Sequence, residues 1–127
     1  MGIERAGKSS GGWRADLERY FRSTWESNYA RYLNWLIDQG EIARWEYEAD
    51  TFEFPVKRGS RFYTPDFKVV NPDGTYEYHE IKGWMDAQSA TKLKRMAKYY
   101  PEEVVVVIGK EEYQALKKWR KLIEDWE

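Results

Sequence analysis

Cysteine is absent from this 127-residue chain, which excludes a disulfide frame and any cysteine-bound zinc site and suits a reducing cytosol. Excess charge of one sign is missing too. A formal net charge of -1 argues against a dedicated nucleic-acid coat, which is ordinarily strongly basic. The start, Met1-Gly2-Ile3-Glu4-Arg5, lacks the apolar run of a signal peptide, and no later run is long and apolar enough to cross a membrane. The expectation is a soluble, cytoplasmic protein. No internal repeat and no linker to a second domain interrupts the chain, whose length is that of one domain with a real core.

Aromatic residues are abundant, with 7 Trp and 10 Tyr, and rings of that size carry much of a core's burial energy. Charge is unevenly spread. Glu41, Glu46, Glu48, Asp50 and Glu53 make one stretch acidic, while Lys57, Arg58, Arg61 and Lys68 make the next basic, as do Lys92, Lys94, Arg95 and Lys98. A basic face on a near-neutral protein can still meet phosphates; solvated surface is the plainer reading of each cluster.

Residues 1–12, rich in Gly and Ser, read as a flexible leader to a domain spanning 13–127. Apolar residues at three- and four-residue steps predict a helix over 13–39, interrupted near Ser23 and stopped by Gly40. Residues 42–54 read as one strand or two, 61–70 as the next and 75–82 as a third. A helix over 86–100 ends before Pro101. The β-branched run 104–108 reads as a strand covered on both faces. A final helix over 111–126 carries Tyr113, Leu116, Trp119, Ile123 and Trp126 on one stripe, and that stripe or the first helix is a candidate dimer seam. The order α-β-β-β-α-β-α predicts an α/β domain with a mixed sheet flanked by helices.

Four ionisable residues sit where the pattern wants apolar ones. Asp66 lies inside Phe62-Tyr63-Thr64-Pro65-Asp66-Phe67, where Pro65 implies an edge or a bulge. Glu80 and Lys82 are two apart on a predicted strand, so they share a face roughly 6.7 Å apart. His79, the single histidine, is turned to the other face and reads as structural. Pro72-Asp73-Gly74 fits a three-residue hairpin loop with a bulged glycine, which pairs Asn71 with Thr75 and sets Asp66 opposite Glu80. A two- or four-residue loop would set Asp66 against His79 instead. Opposed carboxylates about 4.5–5.5 Å apart at Cβ repel unless a cation lies between them, and oxygen ligands favour Mg²⁺ or Mn²⁺. Glu26 lies along the apolar stripe of Ala30, Leu33 and Ile37, and has two readings. It completes the acidic site, or it closes a capping box with Ser23.

The pieces Phe21-Arg22-Ser23-x-x-Glu26, Tyr63-Thr64-Pro65-Asp66-Phe67 and Glu80-Ile81-Lys82-Gly83 resemble, in order, the motifs of PD-(D/E)XK nucleases. Within that superfamily they look most like junction-resolving enzymes of the phage endonuclease I type. The resemblance covers residues 21–108, roughly two-thirds of the chain. It implies a restriction-endonuclease-like fold and divalent-metal cleavage of DNA, branched (Holliday-junction) DNA included, in the cytoplasm of a phage-infected cell. It implies that Asp66, Glu80 and the carbonyl of Ile81 bind the metal, that Glu26 completes the site or holds a second ion, and that Lys82 positions the attacking water. Arg22, Lys92, Lys94, Arg95 and Lys98 are the candidate phosphate contacts, and a homodimer or a protein partner would supply a second active site. The strongly basic tail expected of a junction resolvase is missing, which counts against branched-DNA specificity. Two other readings remain: a transposase- or restriction-type nuclease subunit working with a partner, and a catalytically idle relative that binds DNA or protein.

Overall fold

The computed structural model describes residues 11–127. In chain order these form β1 (Gly12–Arg14), β2 (Arg19–Phe21), α1 (Thr24–Asp38), β3 (Arg44–Tyr47), β4 (Phe52–Glu53), β5 (Phe62–Tyr63), β6 (Phe67–Val70), β7 (Tyr76–Ile81), α2 (Ala87–Tyr99), β8 (Val105–Ile108) and α3 (Lys110–Leu116). The protein is mixed α/β with three helices among the described residues, and its main sheet is mixed, with strand order β3-β6-β7-β8. The first three strands pair antiparallel and β8 joins parallel to β7. The expected leader over 1–12 lies outside the described residues except for its last two, and Gly12 already opens β1.

One turn sets the register of the sheet. Asn71 donates its N–H to Thr75 O at 2.7 Å, Gly74 takes φ +91°, and the Asp73 carboxylate accepts from the Thr75 N–H at 2.9 Å. Only glycine adopts that backbone without strain. The ladder then runs Val70 to Tyr76 through Phe67 to His79, and its next step places Asp66 beside Glu80. Side chains alternate across the sheet. Phe67, Val69 and Ile81 therefore face α1, where they meet Tyr29, Ala30, Leu33 and Phe21 in the larger core. A smaller core of Phe54, Tyr63 and Met96 joins β4 and β5 to α2.

Several expectations fail here for local reasons. Residues 12–21 form the β1–β2 hairpin rather than a helix: Leu17 and Glu18 donate back to Arg14 and Ala15 carbonyls, and Glu18 adopts φ +52°. Helix α1 starts at Thr24, with Ser23 as its cap accepting from the Glu26 N–H. The strand expected over 61–70 is cut into β5 and β6 by Thr64-Pro65, since proline cannot donate to the ladder. Strand β8 is an edge strand, not one covered on both faces; Val105, Val106 and Val107 are half-buried, and only Ile108 is buried. The last helix ends at Leu116 and tightens into a 3-10 turn over Lys117–Trp119. The chain then folds back, so that Ile123 and Tyr113 are buried and Trp126 stacks on Tyr113. Glu127 takes ion pairs from Arg14 and Arg31, both at 2.7 Å. Tyr113, Ile123 and Trp126 thus serve the chain's own core and are not free as a dimer seam.

Candidate active site

The end of the β6–β7 ladder opens into a cleft of about 250 Å³ lined by Arg22, Glu26, Tyr63, Asp66, Glu80 and Lys82, with Lys92 on its rim. Each acid arrives on a different element. Asp66 leads into β6 and is 3% exposed. Its Oδ2 accepts the Ile81 N–H at 2.8 Å, which leaves Oδ1 facing the cleft. Glu80, in β7, accepts from the Tyr63 hydroxyl at 2.9 Å and from the Asp66 N–H at 3.3 Å, both at Oε1. Glu26, in the first turn of α1, accepts from the Tyr47 hydroxyl at 2.6 Å. Its side chain makes no bond to the Ser23 N–H. Of the two readings of Glu26, the box is therefore only half formed: Ser23 caps the helix and the carboxylate turns into the cleft.

Burial, followed by the neighbouring charges of Glu80 and Glu26, pushes the Asp66 carboxyl up from 3.8 to about 8. Burial raises Glu80 as well, against the opposing pull of Tyr63, the Asp66 N–H and Lys82. The same carboxylate beside a buried phenol raises Tyr63, after burial itself. These are the marks of acids held together at a cost, which in proteins concentrates at functional sites.

Arg22 is drawn into the cluster. Its Nη2 lies 3.0 Å from Asp66 Oδ1, 2.8 Å from Glu48 Oε2 and 3.5 Å from Glu26 Oε2. One nitrogen therefore serves three carboxylates. Among the described residues, no three Asp, Glu or His side chains already surround a point at ion-binding spacing. The donor set, carboxylates with a strand carbonyl at Ile81, is nevertheless the hard-oxygen set that divalent cations take.

Glu48 and the two tyrosines belong to the site, yet spacing alone does not single them out. Glu48 adopts φ +50°, a region costly for a residue with a side chain, and donates its N–H to Asp66 O at 2.8 Å. That kink ends β3, where the adjacent residues Tyr47 and Glu48 meet the cleft-lining Glu26 and Arg22 respectively. Of the candidate phosphate contacts, Lys92 lines the cleft, and Lys94 and Lys98 are exposed on α2. Arg95 is occupied otherwise: its Nη1 donates to Ser60 O at 2.6 Å and Arg58 O at 3.2 Å, tying down the loop before β5. Arg22 is likewise engaged with acids. His79 sits on the opposite face, bonded to the Tyr29 hydroxyl at 2.5 Å, and burial lowers its pKa.

A scan of protein-family models, a search of curated proteins and a search of solved structures each find no match to this chain. The functional reading therefore rests on the chemistry of the cleft.

Proposed function

We propose that this chain is a divalent-metal-dependent endodeoxyribonuclease with a restriction-endonuclease-like core. The observation that carries the reading is the meeting of Asp66 and Glu80 at a ladder end, with Lys82 the next residue on that face and Glu26 closing the cleft. Asp66, Glu80 and Glu26, with the Ile81 carbonyl, would hold Mg²⁺ or Mn²⁺. Such an ion supplies a more acidic water and neutralises charge on the phosphate and the leaving oxygen.

The protein's own groups do the positioning. The Ile81 N–H and the Tyr63 hydroxyl fix one oxygen each of Asp66 and Glu80, so Asp66 Oδ1 and Glu80 Oε2 are the oxygens that would take a cation. The Lys82 ammonium orients the attacking water and offsets charge building on the phosphate. Lys92 at the rim, with Lys94 and Lys98 beyond it, meets the DNA backbone, which positions the strand without reading its sequence. Branched DNA is one substrate class of this reading, and the missing basic tail counts against a preference for it. Cutting both strands calls for two active sites, from a homodimer or a partner protein. Among the described residues no helix is long and apolar enough to cross a membrane, and a cytoplasmic location is part of this proposal.

The idle, DNA-binding reading is favoured by one observation: Arg22 already neutralises part of the acidic cluster. Incubation with four-way junction, flap, single-stranded and linear DNA, in Mg²⁺ or in chelator, separates the two. Metal-dependent cleavage that disappears in Asp66→Ala, Glu80→Ala and Lys82→Ala is expected. Binding without cleavage of any of these substrates refutes the enzyme.

A further inference from the structure

The position of Arg22 raises a problem for any ion entering the cleft. Asp66 Oδ2 is bound to the sheet through the Ile81 N–H, so Oδ1 is the oxygen left for a cation, and Arg22 Nη2 stands 3.0 Å from it. Divalent ions sit about 2.0–2.6 Å from carboxylate oxygens. A guanidinium nitrogen on the cleft side of Oδ1 therefore occupies the space and the charge role that the ion requires. Two positive centres against one oxygen also repel, and burial weakens the screening between them.

The geometry points to Arg22 as a resident counter-ion that a divalent cation must displace, its guanidinium then moving to the cleft mouth to meet the DNA phosphate. This inference rests on the metal-nuclease reading and deepens it. The surroundings suit such a movement. The Arg22 side chain is 60% exposed, whereas Phe21 before it is wholly buried and Ser23 after it is fixed as the α1 cap. The backbone is anchored and the side chain is free to swing. Among the described residues the bonded and ion-paired partners of the guanidinium are the carboxylates of Glu26, Glu48 and Asp66. Glu80 brings a fourth carboxyl to the cluster, and among the described residues Arg22, Lys82 and Lys92 are the cations that line the cleft. A doubly charged ion sets twice a guanidinium's charge against the same carboxyl oxygens and is held by them more strongly. Once expelled, Arg22 has its next favourable partner in a phosphate, which it can grip with two parallel N–H bonds.

A purely structural Arg22, one that only steadies the acids, makes the opposite forecast. Its loss would loosen the cluster and weaken metal binding and cleavage together. A displaced counter-ion instead moves the two in opposite directions.

The test is calorimetric titration of Mn²⁺ into wild type, Arg22→Met and Arg22→Lys, alongside cleavage of plasmid DNA at saturating Mg²⁺. Roughly tenfold tighter Mn²⁺ binding by Arg22→Met, near-wild-type binding by Arg22→Lys and roughly tenfold slower cleavage by Arg22→Met are expected; tenfold is about 1.4 kcal/mol. Mn²⁺ binding by Arg22→Met that is unchanged or weaker overturns the inference. A second readout needs no variant: in uniformly ¹⁵N-labelled wild-type protein, the Arg22 Nε–H resonance should shift at the Mg²⁺ concentration that shifts the Ile81 amide. A static Arg22 signal at saturating Mg²⁺ also overturns it. If wild type binds no Mn²⁺ and cuts no DNA, the nuclease reading fails and this inference with it. If wild type binds and cuts but Arg22→Met binds no tighter, only the role of Arg22 fails.

Discussion

Asp66→Asn should make the metal-free protein more stable at neutral and mildly alkaline pH, although it removes a residue on which the proposed activity depends. The carboxyl is buried beside Glu80 and Glu26, which holds it up at about 8 against an ordinary 3.8. A group whose folded pKa is raised favours the fold while protonated, and that contribution is lost as pH climbs toward the folded value. Each pH unit above 3.8 costs about 1.4 kcal/mol, a ceiling of about 4 kcal/mol at pH 7. Asparagine keeps an acceptor for the Ile81 N–H, and the pull of Arg22 on the carboxylate is already inside the net rise; relaxation and water penetration hold the real cost below that ceiling. The balance is a gain of roughly 2 kcal/mol, or roughly 6–10 °C in Tm for a chain of this length. Thermal melts in chelator from pH 4 to pH 8 measure it. The variant's advantage should be near zero at pH 4 and widen steadily toward pH 8. Adding 10 mM Mg²⁺, a concentration chosen to lie well above a Kd of about 1 mM or tighter, should raise wild type and leave the variant unmoved. A variant less stable than wild type at pH 8, or an advantage that ignores pH, refutes the argument that the acids strain one another.

Three further outcomes test the frame around the site. Ser23→Ala should cost about 1 kcal/mol through the lost α1 cap, whereas Glu26→Gln should leave helix content by circular dichroism unchanged and abolish cleavage. Gly83→Ala would put a Cβ 3.1 Å from the Trp25 ring, itself stacked on Tyr113 at 4.1 Å, so urea melts should show a loss of about 1–2 kcal/mol. Trp84, 76% exposed on the loop after Lys82, offers an uncovered ring to an unpaired base. Stacking of that kind is worth about 1–3 kcal/mol, so Trp84→Ala should weaken binding to single-stranded and flap DNA by roughly tenfold in fluorescence anisotropy. Equal weakening on linear duplex would exclude base stacking there.

The parts of this structure legible from sequence are those governed by short-range rules. Pro72-Asp73-Gly74 dictates its own turn, the turn dictates a register, and the register brings Asp66 to Glu80 across many residues of chain. The β1–β2 hairpin was not legible, because Trp13, Leu17, Tyr20 and Phe21 recur at helical steps while the decisive event is a left-handed Glu18. The C-terminal stripe misleads for a related reason. Tyr113 and Trp126 do share a core, and Ile123 is buried, but by a fold-back that helical counting cannot see. Arg95 shows the limit for function: its helix face could be inferred, but not that the Arg58 and Ser60 carbonyls stand opposite it.

Glu48 carries this reasoning furthest. In an alternating stretch it reads as one more solvent-facing acid after Glu46, and the strand period gives Tyr47 the inward place. Tyr47 bonds Glu26 and Glu48 pairs with Arg22 at a point where the backbone turns left-handed, held there by the Glu48 N–H on the Asp66 carbonyl. The same bond fixes Asp66 in line with Glu80. Strain at one residue, of the order of 1–3 kcal/mol, is thus coupled to the placement of another's carboxylate. A left-handed backbone for which asparagine or glycine would be easier, filled by a glutamate aimed at Arg22, is what a site selected for its charges would leave behind, and a fold selected only for stability would not.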